Sequence, residues 1–303
     1  MPRSPLPQRG GLDASWVRTP GPADAPGTWA TMGEFLLGRL PAAADVSRRL
    51  DAGEFFDEAG SPLAGDTPFR PHRIIWFHRP LAPETPVPFE IVVIDQTEDL
   101  VVVDKPHFLA TTPRGAHVRE TALVRLRVEL GLPELAPAHR LDRLTAGVLV
   151  FTTRREVRGA YAGVFQSRTV AKTYEAIGRW DSSLSFPLRL VGRIEKRRGS
   201  LQAELFDGEP NAETLVEVVE VRGEFARYRL TPVTGKTHQL RLQMADAVLG
   251  LVGDPLYPVV APDATDDYDE PLRLVARSLA FTDPLDGTER RYESKRQLEW
   301  PPP

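Results

Sequence analysis

The residues with the clearest chemical potential stand in the segment HRLDRLTAGVLVF at positions 139–151. Asp142 lies there between Arg140 and Arg143, just before a run of small and branched apolar residues. Nearby cations favour the charged form of a carboxylate, and a charged carboxylate is available as a nucleophile at neutral pH. The apolar run is typical of a buried strand, which would hold the carboxylate on a rigid element. A structural ion pair is the alternative interpretation of the same residues.

A second polar segment, TGKTHQLRL at 234–242, contains Gly and Lys but lacks the spacing of a phosphate-binding loop. That loop requires a glycine at the position that Leu230 occupies, because backbone amides must wrap the phosphates. We therefore interpret the segment as a turn followed by a helix, with Thr237 as a candidate N-cap. The polar side chains that it offers are Lys236, His238, Gln239 and Arg241.

The composition excludes several classes of site. The 303 residues include no Cys, which removes disulfides, thiolate metal sites and a Cys nucleophile. His139 and His238 do not stand at the spacing of metal ligands, so we predict no metal site. No GxGxxG or GxSxG motif occurs, which argues against a dinucleotide-binding fold and a serine hydrolase. No apolar stretch has the length of a signal-peptide core or a membrane span. We expect a soluble, cytoplasmic protein, with a monomer as the default.

Local charge is more informative than the formal net charge of −4. The stretch 140–172 holds six Arg and one Lys against two acids, and 192–200 adds four cations with one acid. Each run could be a solvated surface, but together they flank the Asp142 motif. We expect a polyanionic partner, with Arg193, Lys196, Arg197 and Arg198 as candidate phosphate contacts.

Stretches rich in Pro and Gly divide the chain into three predicted parts. Residues 1–28 are rich in Pro, Gly and Arg and are expected to form a loose arm. Residues 29–82 contain two short helical patterns and a Pro-broken apolar run, which predicts a small α/β module. The stretch LAPETPVPFE reads as an extended linker because Pro restricts the backbone around it. Residues 83–303 then form the larger domain.

Periodicity within 83–303 predicts many strands with helices between them. Apolar or alternating runs predict strands in IVVIDQ, LVVVDK, GVLVFTT, TYEAIGRW, TLVEVVEV, FARYRLTPV and RLVARSLAFT. Helices are expected in TALVRLRVELGL, in EVRGAYAGVFQSR and from about Thr237 to Ala245. Regular βαβ repetition is missing, so the pattern favours an α+β fold with a long, mostly antiparallel sheet.

The motif HRLDRLTAGVLVF resembles the signature of the RluA-type pseudouridine synthases: His-Arg-Leu-Asp, two further residues, Thr, a small residue, Gly and an apolar strand. Four other segments resemble motifs of that family in the same order along the chain. They are LVVVDKPHFLATTP at 100–113, AKTYEAI at 171–177, TGKTHQLRLQMA at 234–245 and GDPLY at 253–257. The resemblance covers residues 88–283, and residues 29–82 resemble the small S-four-like RNA-binding module of many members. Lys236, Gln243 and Pro258 depart from the family pattern, which concerns RNA contacts and loop shape.

The resemblance implies a pseudouridine synthase fold, a long mixed sheet flanked by helices and loops around a central active-site cleft. It also implies the isomerisation of a uridine in RNA to pseudouridine, without a cofactor. Asp142 would be the nucleophile, whether by attack at C1′, by addition to the base or by assisting a glycal-forming elimination. Arg241 would pair with Asp142, and Tyr174 would stack on the base and is a candidate for proton removal at C5. Arg140 would fill the space of the extruded nucleotide. Further RNA contacts are expected from His139, Arg143, Thr145, Lys172, Lys236, Thr237, His238 and Gln239.

The substrate expected from this chemistry is a structured rRNA or tRNA. A stacked uridine cannot reach a carboxylate, and extruding it costs least in loops and single strands. A catalytically silent RNA-binding or ribosome-assembly factor with the same fold is the alternative. A retaining glycosidase would need a second carboxylate about 5 Å from Asp142, and the sequence marks none.

Overall fold

Residues 3–21, 29–261 and 268–302 are described by the computed structural model. The chain divides into two units, Met1–Glu84 and Thr85–Pro303. The division falls inside the Pro-rich stretch where the sequence placed a linker. Across the described ranges, no helix has the length and apolar character needed to cross a bilayer.

The first unit packs two short helices against one face of a three-stranded antiparallel sheet. Its elements are α1 Met32–Arg39, α2 Val46–Asp51, β1 Ser15–Arg18, β2 Phe55–Phe56 and β3 Ile74–Phe77, with strand order β1-β3-β2 and a 3-10 turn at Ala42–Ala44. The first helix begins where the Thr31 side chain accepts a hydrogen bond from the Glu34 amide at 3.1 Å. Phe35, Phe55 and Ile75 lie in the shared core.

Strand β1 corrects part of the expectation of a loose arm over residues 1–28. Trp16 pairs with Trp76 of β3, and the Thr19 hydroxyl donates to the carbonyl of Arg70 at 2.8 Å. A four-residue edge strand depends on a partner about 60 residues away, so the local Pro and Gly content concealed it. Residues 1–2 and 22–28 lie outside the described part of the chain.

The second unit is built on one eleven-stranded sheet. Its strands are β4 Val92–Gln96, β5 Leu100–Lys105, β6 Ala136–Pro137, β7 Ala146–Thr152, β8 Ala171–Arg179, β9 Leu188–Glu195, β10 Glu204–Phe206, β11 Ala212–Arg222, β12 Phe225–Pro232, β13 Leu274–Thr282 and β14 Glu289–Glu293. Its helices are α3 Ala122–Glu129, α4 Arg158–Gln166 and α5 Gln239–Asp246. The order is β10-β9-β11-β12-β8-β13-β7-β5-β4, with β14 on β13 and β6 on β7. Among the strands of the described residues, only β7 and β13 pair in parallel. This is the mixed, mostly antiparallel sheet that the sequence predicted.

The neighbouring strands β5 and β7 are buried on both faces, which explains their uninterrupted apolar runs. Side chains such as Val101 and Leu149 join the core that includes α3, whereas Val102 and Val150 join the core that includes α4. Because successive side chains alternate between faces, each strand binds both layers together. These strands form the rigid support of the loop that carries Asp142.

Four described strands of the second unit were not predicted from the sequence: β6, β9, β10 and β14. Strand β9 is exposed at several positions and carries Arg and Gly, so its alternation is weak. It pairs with β11 and β10 and projects the basic segment 196–200 as a hairpin turn. The sequence therefore predicted the positive charge of this segment but not the β9–β10 hairpin that carries it.

Candidate active site

A single row of paired residues across five strands assembles the site. Lys105 at the end of β5 faces Gly147 of β7, Gly147 faces Ala276 of β13, Ala276 faces Tyr174 of β8, and Tyr174 faces Leu230 of β12. The Asp142 loop runs directly into β7, and β12 runs into the loop that starts α5 with Arg241. Residues that are far apart in sequence thereby meet at one place on the sheet.

The Asp142 loop is held by short-range and long-range hydrogen bonds. The Thr111 hydroxyl donates to the Leu141 carbonyl at 2.7 Å and accepts from the Leu141 amide at 3.1 Å. The Thr145 amide donates to the Asp142 carbonyl at 3.1 Å, which closes the turn. The Asp142 side chain itself is 30% exposed, so it is anchored through its backbone while its carboxylate faces the cleft.

Arg241 is the cation closest to Asp142 among the described ion pairs, as the resemblance implied. Its Nη1 lies 3.8 Å from Asp142 Oδ2, which is an ion pair rather than a hydrogen bond. Its Nε and Nη2 donate to the two oxygens of Asp254 at 2.8 and 2.5 Å. Burial alone would lower the pKa of Arg241, but the bonds and charge of Asp254 and the charge of Asp142 outweigh it and raise that pKa. Sequence reasoning noted the GDPLY segment but missed Asp254 as the anchor of Arg241.

A second buried cation, Lys105, contacts the Asp142 loop. Its Nζ donates to the carbonyls of Pro106, Leu109 and Arg143 at 2.9, 2.7 and 3.3 Å. Burial lowers the pKa of Lys105 well below its usual value, while the charge of Asp142 acts in the opposite direction. Three carbonyl acceptors match the three donors of an ammonium group. Lys105 therefore supports the negative charge of Asp142 and ties its loop to the end of β5.

Tyr174 projects from β8 into the cleft beside Asp142. Burial and the neighbouring Asp142 charge both raise the pKa of Tyr174 above its usual value, so the phenol is protonated at neutral pH. A protonated ring can pack against a base and donate a hydrogen bond.

The cleft around these residues has a volume of about 660 Å³. Eleven of the twelve predicted site residues line it: His139, Arg140, Asp142, Thr145, Lys172, Tyr174, Lys236, Thr237, His238, Gln239 and Arg241. The predicted contact that does not line it is Arg143, whose carbonyl accepts from Lys105 instead. At the rim, Arg140, Lys236 and Arg168 are exposed, and Lys172 is half-buried. Arg168 had not been singled out by the sequence.

Two of the predicted RNA contacts belong to the wall of the cleft. His139 stacks on Phe165 at 4.5 Å and accepts a hydrogen bond from the Val150 amide at 3.2 Å. Burial, reinforced by Lys172, lowers the pKa of His139 to about 3, so the ring is uncharged. Gln239 is 4% exposed and bonds to Thr234 and to Thr214 at 2.8 and 3.0 Å. Both side chains shape the cleft from within the protein.

The start of α5 differs from the expectation that Thr237 caps it. His238 is the N-cap residue, with φ of 57°, and its side chain makes no capping bond. Thr237 is instead exposed and lines the cleft.

The basic segment 192–200 divides into cations with different roles. Arg193 Nη2 lies 2.6 Å from Glu195 Oε1, and Arg197 stacks over the Phe206 ring at 4.9 Å. Lys196 donates to the Leu201 carbonyl and lies close enough to Asp142 and Arg241 for their charges to act on its pKa, which burial lowers. Lys196 is thus the member of the segment that faces the site.

Residues 99–246 match the family described as RNA pseudouridylate synthase. The dual-specificity RNA pseudouridine synthase RluA of Vibrio cholerae is 30% identical over 207 residues, which cover 64% of this chain and 78% of the relative. The chain belongs to the RluA-type pseudouridine synthase family. The resemblance stated from the sequence motifs is thereby confirmed.

Other members of the RluA-type family are longer than the region they share with this chain. The ribosomal large subunit pseudouridine synthase D of Neisseria meningitidis is 28% identical over 224 residues, 69% of this chain and 59% of the relative. The human pseudouridylate synthase RPUSD2 is 31% identical over 195 residues, 61% of this chain and 33% of the relative. The chain therefore spans a third to three fifths of the length of these two relatives.

The fold of this family member also matches solved structures. Human RNA pseudouridylate synthase domain containing 1 superposes with a TM-score of 0.54 at 22% identity, covering 71% of this chain and 86% of that one. Human RNA pseudouridylate synthase domain containing 4 gives a TM-score of 0.51 at 23% identity, covering 69% and 88%. The predicted α+β pseudouridine synthase fold is confirmed.

Proposed function

We propose that this protein is an RNA pseudouridine synthase in which Asp142 is the nucleophile. The single observation that carries the proposal is the position of the Asp142 carboxylate: it is part-exposed in a cleft, 3.8 Å from the buried Arg241, on a loop held at the end of a buried strand. The positive charges of Arg241 and Lys105 stabilise the Asp142 anion, and the 3.8 Å separation from Arg241 is too long for a short hydrogen bond.

The proposed reaction is an isomerisation in which atoms and electrons balance without a further reactant. The C1′–N1 bond of a uridine breaks, the uracil rotates, and a C1′–C5 bond forms. The proton on C5 is lost and N1 gains one. Attack by Asp142 at C1′, its addition to the base and its assistance to a glycal-forming elimination all use the same carboxylate in the same cleft.

Tyr174 and Arg140 have distinct proposed roles in holding the extruded uridine. The protonated phenol of Tyr174 fits packing against the uracil better than removal of a proton in the resting state. Arg140 is exposed at the rim, where a long cation can occupy the gap that the uridine leaves in the RNA. Base extrusion makes such a substitute useful because unstacking costs a few kcal/mol.

The remaining rim cations fit the phosphate backbone. Lys172, Lys236 and Arg168 lie around the cleft together with Arg140. We propose that these residues, with Thr237 and His238, contact RNA, whereas His139, Thr145 and Gln239 position the wall behind them. Thr145 is 3% exposed, which leaves its side chain no surface for a phosphate.

The substrate is proposed to be rRNA or tRNA. One relative is named as a ribosomal large subunit synthase and another as a dual-specificity RNA synthase. The cytoplasmic location, the monomeric state and an RNA-binding role of residues 29–82 stay predictions.

The alternative of a catalytically silent RNA-binding factor is not favoured. RNA binding alone does not require a buried Arg241–Asp254 pair next to the part-exposed Asp142 carboxylate. A glycosidase is also not supported, because Asp254 is 1% exposed and both of its oxygens are bonded to Arg241.

The experiment that tests the proposal compares the wild type with Asp142→Asn. Both proteins are incubated with unmodified rRNA and tRNA transcripts, and pseudouridine is mapped by chemical probing. We expect conversion at specific uridines by the wild type and none by the variant, with RNA binding retained by both. Equal conversion would reject Asp142 as the nucleophile, and no conversion of either RNA by the wild type would reject these substrates.

A further inference from the structure

The hydroxyl of Tyr257 contacts three polar groups, one of them on a residue that lines the cleft. It accepts from the Ala203 amide at 2.6 Å, and it lies 3.2 Å from the Ala203 carbonyl and 3.0 Å from Nδ1 of His238. Tyr257 is 5% exposed, and its ring packs against the Arg241 guanidinium at 5.4 Å. One side chain therefore joins the base of the β9–β10 hairpin to two residues that line the cleft.

The single proton of this hydroxyl has two possible acceptors. The Ala203 amide can only donate, so the proton goes either to the Ala203 carbonyl or to Nδ1 of His238. The imidazole nitrogen is nearer, at 3.0 against 3.2 Å, and it is a stronger base than an amide oxygen. Nδ1 then accepts, and in a neutral imidazole the ring proton must reside on Nε2.

The surroundings of His238 keep its ring neutral. Burial is the main cause that lowers the pKa of His238 to about 4; the charge of Asp142, with that of Asp254, opposes the shift, and the charges of Arg241 and Lys196 favour it. Its backbone is fixed at the start of α5 with φ of 57°. Since His238 also lines the cleft, its Nε2–H is a donor placed among the groups that face the substrate.

We propose that Tyr257 is a positioning residue that holds His238 in its Nε2–H form, so that His238 serves as a neutral hydrogen-bond donor to an acceptor oxygen of the bound nucleotide. The inference rests on the proposed function, because it assumes that RNA occupies the cleft. A neutral donor suits this place: an imidazolium would compete with Arg241 for the Asp142 carboxylate.

Two substitutions of His238 distinguish the contributions of its two ring nitrogens. Gln extends an amide N–H to about the place of Nε2, whereas Asn reaches only the place of Nδ1. We expect His238→Gln to keep kcat/KM for a uridine-containing RNA stem-loop within about threefold of the wild type, and His238→Asn to lose about tenfold or more, the cost of one hydrogen bond to substrate. Equal losses, or the reverse order, would overturn the donor role.

A third variant, Tyr257→Phe, keeps the ring on Arg241 and removes only the hydroxyl. In RNA-free protein labelled with ¹⁵N-histidine, we expect the wild type to show the Nε2–H form of His238 and the variant to show a mixture of both forms. The kcat/KM of Tyr257→Phe should fall about three- to tenfold below that of the wild type. Tyr292→Phe is the matched control, because it loses a bond to Asp95 outside the cleft and should change neither result.

These measurements distinguish the inference from the proposed function. A wild type that makes no pseudouridine rejects the function, yet the ¹⁵N spectra still decide the form of His238. An identical His238 spectrum in wild type and Tyr257→Phe overturns the positioning role even if the wild type is fully active.

Discussion

Arg241 is bound more closely to Asp254 than to Asp142. Two of its nitrogens donate to Asp254 at 2.8 and 2.5 Å, while a third lies 3.8 Å from Asp142. The side chains of Arg241 and Asp254 are 2% and 1% exposed, so the pair is a buried anchor from which the guanidinium reaches Asp142. The proposed nucleophile thus pairs with a cation that another carboxylate holds in place.

This anchor predicts two effects of Asp254→Asn. Leaving Arg241 unpaired in the interior should cost about 3 kcal/mol of unfolding free energy. A shift of the guanidinium should also lower kcat about 100-fold, because small misplacements at a reacting group are costly. Urea unfolding and single-turnover assays measure the two. Asp283→Asn breaks a buried pair with Arg290 outside the cleft and should lose stability with unchanged kcat per folded molecule. Wild-type kcat in Asp254→Asn would contradict the anchoring role.

The rim cations predict a selective change in salt dependence. Arg140→Gln and Lys236→Gln should each weaken RNA binding and reduce the slope of log K against log salt by about 0.7, since each removes one phosphate contact. Arg193→Gln is the matched control, because Arg193 is paired with Glu195 at 2.6 Å and should leave the slope unchanged. Filter binding from 50 to 200 mM salt, a range typical for such contacts, measures all three. An equal change in all three variants would assign the cations to general surface charge.

Even a methyl side chain at position 147 is expected to destabilise the fold. The φ of Gly147 is 114°, and a Cβ at this position would lie 2.3 Å from the carbonyl oxygen of Ala276. Gly147→Ala must therefore separate β7 from β13 next to the Asp142 loop, at a cost of about 3 kcal/mol or more. Gly159→Ala in α4 has open space around it and should be neutral or stabilising by up to about 1 kcal/mol. Thermal and urea unfolding of the two variants test the contrast.

His139 predicts that the fold weakens on acidification. Its folded pKa is about 3, below the usual 6.5, so between these values the unfolded chain binds a proton that the folded chain does not. Stability is therefore fully present above pH 6.5 and declines as the pH falls toward 3, with His107 and His238, each lowered to about 4, acting in the same sense. His139→Gln should reduce the loss between about pH 7 and 5 by about 1–2 kcal/mol. Urea titrations at both pH values measure it, with exposed His72→Gln as the control, and an unchanged loss in His139→Gln would contradict the assignment.

The chain's own motifs determined much of the fold and of the chemistry. The runs LVVVDK and AGVLVF identify central strands because both faces are covered, and the predicted helices lie at α3, α4 and α5. Asp142 was singled out from its local sequence, whereas the roles of Tyr174 and Arg241 were implied by the family resemblance, and the structure brings all three together in one cleft. Local sequence was sufficient to predict these elements and motifs because a buried strand or a short motif involves only a few neighbouring residues.

Only the tertiary structure decided which of those residues touch one another. Asp254 holds Arg241, Gln239 bonds to Thr214 inside the wall, and Tyr257 links His238 to Ala203. These contacts join residues separated by up to about 55 positions. Residue type shows that a side chain can form a hydrogen bond, but the partner depends on the distance and angle that only the folded chain sets. The same reason explains why β1 and β9 were not foreseen: each is a weak pattern that becomes a strand only when a distant partner pairs with it.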